Sequence, residues 1–287
     1  MSSTFILPSI PLWNDTSIKT TTGVPSITPM LLAGDSPRPA VLIIPGGGYG
    51  CVCETTEGSP IGKKFNELGY HAFVLDYRTA PDRWPAPQQD AMRAMKIIRA
   101  NSAKWNIDPS RVYSCGFSAG AHLAGSLGTI CGTVDASAGD EYDQYSSMPD
   151  GMILCYGVLS FTSYSHHDTI INLLGEVSEA EAMKKSLPEH VSATTPPTFL
   201  MHTICDQAVP FRNSMDFAAA MAAVGRPCQL SLFNWGDHGM LLGLDTLDVK
   251  HWPEQAAAFL ESVKQIEKDP SYRERYTNPY QAQAQRR

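Results

Sequence analysis

The chain has 287 residues, 43% hydrophobic and 18% charged, the proportions of a compact globular protein without the glycine or proline excess that favours disorder. A net charge of −7 with no Lys/Arg cluster argues against a nucleic-acid partner, and no apolar run reaches the roughly 18 residues of a membrane span. The seven cysteines are scattered, and the opening MSSTFILP lacks the basic and apolar regions of a secretory signal, so reduced thiols and a cytoplasmic location are expected.

The first strand candidate is residues 41–45 (VLIIP), an apolar β-branched run that opens into Gly46-Gly47-Gly48. Residues 60–68 place Ile61, Phe65 and Leu68 at helical spacing before Gly69, and residues 71–77 (HAFVLDY) form the next strand. That is a βαβ unit. From Pro87 a second helical pattern puts Ala91, Ala94, Met95 and Ile98 on one face. A short strand at 111–117 then runs straight into a small-residue helix, AGAHLAGSLG.

Strands follow at 152–158 (MILCYGV), 198–203 (TFLMHT) and 229–234, with helices at 213–224 and at 253–268, the latter opened by a proline. Alternation of this kind predicts an α/β fold: a single domain over residues 1–287 built on a mostly parallel sheet with helices on both faces. Residues 159–197 break the rhythm, with only a helical patch at 179–185. So long a connection reads as a lid or substrate loop. The polar tail 272–287 is expected to lie on the surface or fray.

Two phosphate-binding patterns fail. The glycines from Gly46 do not complete G-x-G-x-x-G, because the final position falls on Cys51 or Cys53. GSPIGKK at 58–64 is one spacer short of a P-loop and has no hydroxyl residue after its lysines. Cys51-Val52-Cys53 has no further Cys or His nearby to complete a zinc site, so neither metal nor organic cofactor is expected.

Gly116-Phe117-Ser118-Ala119-Gly120 is G-x-S-x-G set between a predicted strand and a predicted helix. Small residues there permit a turn sharp enough to lift a serine hydroxyl above the sheet edge. A serine needs a base and a carboxylate to orient that base, and in this architecture they follow in the order serine, carboxylate, histidine, each after a later strand. Asp206 and His238 meet that order. Asp237 is the rival carboxylate, but adjacent loop residues rarely bring a carboxylate against their neighbour's ring. His202 and His122 read as structural, and His166 and His167 as solvent-facing. The N–H groups of Gly47, Gly48 and Ala119 are expected to bind the oxyanion of a tetrahedral intermediate.

These segments resemble the α/β-hydrolase carbohydrate esterases of the acetylxylan-esterase type, whose relatives include bifunctional acetyl/feruloyl esterases. The resemblance is carried by PGGGY at 45–49, EG at 57–58, LDYR at 75–78, WNID at 105–108, GFSAGAHLA at 116–124, NLLG at 172–175, TPPTFLMHT at 195–203, VPFRNS at 209–214 and GDHGM at 236–240, in order over about four-fifths of the chain. It implies the α/β-hydrolase fold, Ser118 as nucleophile with Asp206 and His238, and removal of O-acetyl groups from plant carbohydrates such as acetylated xylo-oligosaccharides. Pro45 stands where many relatives carry histidine, and Ala121 where a third glycine is common. Tyr49 and Trp235 are candidates for stacking on sugar rings. A feruloyl esterase, an arylformamidase, a general short-chain carboxylesterase and a non-catalytic ligand-binding homologue are the alternatives, and a homo-oligomer is compatible with the sequence.

Overall fold

The computed structural model describes residues 3–15, 17–20, 23–162, 164–269 and 271, so the tail at 272–287 lies outside the described residues. The chain starts with strands that the sequence reading does not anticipate: β1 (Thr4–Ile6), β2 (Ile10–Pro11) and β3 (Ser26–Leu32). Pro29 interrupts the donor pattern of β3, yet its carbonyl accepts the Leu7 N–H at 2.9 Å. Next come β4 (Arg38–Ile44), α1 (Glu54–Glu57), α2 (Ser59–Glu67), β5 (His71–Asp76), α3 (Ala86–Ala100), β6 (Ile107–Phe117) and α4 (Ala119–Ser126). The remainder is β7 (Met152–Cys155), α5 (His167–Leu174), α6 (Glu179–Met183), β8 (Thr198–Thr203), α7 (Arg212–Ala223), β9 (Cys228–Phe233) and α8 (Trp252–Lys268).

All of these strands join one nine-stranded sheet in the order β1-β3-β5-β4-β6-β7-β8-β9, with β2 beside β3. The pairs that involve β3 are antiparallel, and from β5 to β9 every pair is parallel. Side chains of β4 alternate between the faces, as a pleated strand requires. Leu42 and Ile44 pack with α3, α4 and α7, while Val41 and Ile43 pack with α2 and α8. This is the α/β-hydrolase fold.

Strand β4 has β5 on one side and β6 on the other, so the chain reverses its direction of travel across the sheet at β4. In open α/β sheets a crevice forms at such a point, outside the carboxyl ends of the strands. The loop after β4 and the turn after β6 both open there, in the register Ile44 to Gly116.

Candidate active site

Ser118 follows β6 in a strained conformation, φ 53° and ψ −121°, and α4 starts at the next residue. So tight a turn leaves no room for side chains around it. A Cβ on Gly120 would lie 2.2 Å from the Ile44 carbonyl oxygen, so only glycine lets α4 seat against the end of β4. Backbone bonds on both sides hold the turn: Ser118 N–H donates to Cys155 O at 3.0 Å, and Val158 N–H donates to Ser118 O at 3.2 Å.

Asp206 lies just past β8 and His238 just past β9, and the two loops are tied together. Ile204 N–H donates to Phe233 O at 2.8 Å and the Thr203 hydroxyl to Gly236 O at 2.8 Å. His238 Nδ1 stands 2.8 Å from Asp206 Oδ2, and its Nε2 stands 2.9 Å from Ser118 Oγ. A carboxylate only accepts, so Nδ1 carries the proton and Nε2 is left to accept from the serine hydroxyl. Asp237, the rival, accepts backbone N–H groups of His238 and Gln207. The residues that the order along the chain singled out are therefore brought into one hydrogen-bonded row.

Asp206 is 7% exposed. Burial alone would push its carboxyl up, but hydrogen bonds from His202, His238 and the Val209 N–H outweigh this and hold it well below the usual carboxylate range. His202 thus does more than fill β8: its Nε2 lies 2.9 Å from Val209 O and 3.2 Å from Asp206 Oδ2, while Nδ1 faces Ser214 Oγ.

The glycine loop lies beside Ser118, and its carbonyls are all engaged. Pro45 O accepts the Tyr77 hydroxyl at 2.8 Å, Gly46 O accepts Cys53 N–H, Gly47 O accepts Gly50 and Cys51 N–H, and Gly48 O accepts Asn172 Nδ2 at 2.9 Å. In a trans peptide the N–H points opposite to the preceding C=O, so anchoring the carbonyls of Gly46 and Gly47 aims the N–H groups of Gly47 and Gly48 the other way. Gly47 adopts φ 122°, and a Cβ there would strike Cys51 O at 2.3 Å. Among the described residues no acceptor takes either N–H. Ala119 opens α4, so its N–H has no partner within the helix. These donors can receive a negative oxygen. The Tyr77 hydroxyl and the Asn172 amide brace this loop from its two ends.

Tyr49 corrects an expectation. It is 0% exposed, its hydroxyl 2.9 Å from His122 Nδ1, and it cannot stack on a sugar. His122 Nε2 must donate to Lys185 O at 2.8 Å, so Nδ1 accepts from Tyr49; burial holds this imidazole down at about 4. The glycine-turn conformation of Tyr49, φ 55°, turns its ring into the core rather than toward the mouth. Trp235, at 71% exposed, does lie on the surface three residues before His238. His166 is half-buried with Nδ1 3.0 Å from Thr169 Oγ1, and His167 is exposed.

The segment 159–197 carries α5 and α6 rather than a single helical patch. Helix α5 lacks a capping side chain at His166 and contains the β-branched run Thr169-Ile170-Ile171, both of which hide a helix from sequence reading. It supplies Asn172. Sequence reasoning gave no role to Glu57, the glutamate of the EG pair, buried under the glycine loop, or to Tyr156, where β7 ends short of residue 158 because the backbone turns to φ 38°. All seven cysteines are free thiols. Among the described residues no cluster of metal-ligating side chains occurs, and no helix is long and apolar enough to cross a membrane.

A family model described as BD-FAE matches residues 31–221. The chain is 37% identical over 227 residues to the endo-1,4-beta-xylanase B of Butyrivibrio fibrisolvens, covering 77% of this chain and 35% of that protein. It is 30% identical over 213 residues to an acetylxylan esterase of Xylanibacter ruminicola, covering 71% and 41%. The chain thus spans between about a third and two-fifths of the length of these relatives. A crystal structure of an acetyl ester-xyloside bifunctional hydrolase from Caldicellulosiruptor lactoaceticus superposes with a TM-score of 0.83 at 38% identity, covering 90% of this chain and 96% of that one.

Proposed function

The chain belongs to the BD-FAE family, and from that premise we propose that it is an esterase of the α/β-hydrolase type, a serine esterase that removes O-acetyl groups from plant-derived carbohydrates, acetylated xylan or xylo-oligosaccharides, through an acyl-enzyme. The observation that carries the mechanism is the row Ser118, His238, Asp206, with contacts of 2.9 and 2.8 Å at the carboxyl edge of the sheet. The substrate class is supported by the acetylxylan esterase and the acetyl ester-xyloside hydrolase among its relatives.

Ser118 Oγ attacks the acetyl carbonyl as His238 Nε2 takes its proton, and Asp206 holds the ring and stabilises the resulting imidazolium. The oxyanion forms against the N–H groups of Gly47, Gly48 and Ala119, each good donor contributing about 3 kcal/mol. The bond to the sugar oxygen breaks as His238 returns the proton to it. Water then attacks the acetyl-serine, His238 accepts the water proton, and acetate leaves as the proton passes back to Ser118. In this reading the exposed Trp235 stacks on a sugar ring of the leaving group.

The test is acetate release from acetylated xylo-oligosaccharides, measured beside methyl ferulate and p-nitrophenyl esters of increasing acyl length. Sugar deacetylation with a preference for the acetyl ester is expected. Preference for long acyl chains or for ferulate without sugar deacetylation would remove the acetyl-carbohydrate assignment and leave the esterase.

A further inference from the structure

One buried carboxylate beside the site has no part in the mechanism above. Glu57, the last residue of α1, is 6% exposed, and each of its oxygens is engaged. Oε2 accepts the Gly46 N–H at 2.6 Å, and Oε1 accepts the Tyr156 hydroxyl at 3.0 Å. Both partners lead into the site. Gly46 is the residue before the oxyanion donors, and it lies so close to the nucleophile that a Cβ on it would sit 2.9 Å from Ser118 Cβ. Tyr156 packs its ring edge-on against the His238 imidazole, the centroids 5.2 Å apart at an interplanar angle of 74°.

We propose that Glu57 is a positioning residue for the esterase reaction, one carboxylate that sets the glycine loop with one oxygen and the wall behind the His238 ring with the other. The inference rests on the serine-esterase reading. Its physical basis is that the glycine loop has no side chains of its own with which to resist rotation. The Pro45–Gly46 peptide is held at its oxygen by the Tyr77 hydroxyl and at its nitrogen by Glu57, and the next peptide, which carries the Gly47 N–H, is held at its oxygen by Cys53 N–H. Without Glu57 the Pro45–Gly46 peptide keeps only its Tyr77 anchor and can rotate; the torsions at Gly46 then shift and tilt the following peptide, so that the Gly47 N–H moves away from where the oxyanion forms. Burial pushes the carboxyl up while the bonds from Gly46 and Tyr156, and after them the charge of the His238 ring, pull it down; neither hydrogen-bond partner requires the negative charge. A neutral amide of the same shape therefore serves as well: its oxygen accepts from Gly46 while its NH₂ donates to the Tyr156 oxygen.

The experiment uses the full chain, with active sites titrated to completion by a fluorophosphonate and p-nitrophenyl acetate as substrate. Wild-type protein that neither labels nor hydrolyses the ester overturns the serine-esterase reading, and this inference with it. With wild-type activity in hand, Glu57→Ala and the shorter Glu57→Asp are expected to lower kcat per titrated site by about 10 to 100-fold with KM nearly unchanged, the scale of a displaced catalytic donor. Glu57→Gln is expected to stay within about threefold of wild type. A purely structural role would lower the fraction of titratable protein while leaving kcat per site alone. Wild-type kcat in either the Ala or the Asp variant overturns the proposal, and so does a tenfold or larger loss in Glu57→Gln, the variant that decides if the other two fail to fold.

Discussion

Asp206 shows how one side chain can serve stability and chemistry together. Its Oδ1 accepts the N–H groups of Ala208 and Val209, and its Oδ2 faces His238 and His202. Folding lowers its pKa below the ordinary value of 3.8, so on the acid side the unfolded chain binds more protons and the Asp206 contribution is complete above about pH 5 and drains away as the pH falls toward the folded value. Urea midpoints measured from about pH 6 down to pH 2 are expected to drop for wild type, with the gap to Asp206→Asn closing over the same range. The same variant removes the acceptor that sets the His238 tautomer, and kcat is expected to fall by about 10⁴-fold with the protein still folded at neutral pH. The aromatic residues divide cleanly. Tyr49→Phe leaves His122 Nδ1 without its donor inside the core and is expected to cost about 1–3 kcal/mol in urea unfolding, with no change in KM for acetylated sugars. Trp235→Ala is expected to do the reverse, raising that KM several-fold while stability moves by less than about 0.5 kcal/mol. In sequence the two look alike, each an aromatic beside a glycine. Only the path of the backbone at φ 55° tells that Tyr49 faces inward.

At the scale of elements, α5 joins the segment 159–197 to the oxyanion loop through one bond, Asn172 Nδ2 to Gly48 O at 2.9 Å. The helix is held in turn by Trp84 N–H, which donates to Leu173 O at 2.8 Å. Asn172→Ala is expected to lower kcat for p-nitrophenyl acetate by about tenfold, with a melting temperature within a few degrees of wild type, since a half-buried bond carries only about 1 kcal/mol. An unchanged kcat would uncouple the helix from the loop. The elements read in advance are those whose apolar period is long and cleanly bounded: α3 and α8, each with a proline in its first turn, and the parallel strands β4, β5 and β8. Those missed lack such signals. Strand β3 hides behind Pro29 and β1 has only three residues, while α5 has neither a capping side chain nor a helix-favouring composition at its start. Strand β6 begins four residues before the expected position because Ile107 already pairs with Arg38, and residues 108–111 bulge out before Val112 pairs with Ala40.

Across the whole molecule, Ser118, Asp206 and His238 come from the ends of β6, β8 and β9, and the glycine loop from the end of β4. Parallel strands put all of those ends on one edge, which is why the order of residues along the chain foretold which ones would meet. What the order could not convey is the set of groups behind them. Glu57, Tyr156, His202 and Asn172 act through hydrogen bonds across 11 to 124 residues or within a strand end, and no motif spacing encodes such partners. The central proposal is that Ser118 is acylated during turnover, and the most direct measurement is intact and peptide-level mass spectrometry of the enzyme quenched during hydrolysis of an acetyl ester. One acetyl group on the peptide that contains Ser118, absent in Ser118→Ala together with acetate release, is the expected result. Continued acetate release by Ser118→Ala, or an acetyl group on any other residue of a competent enzyme, would contradict it.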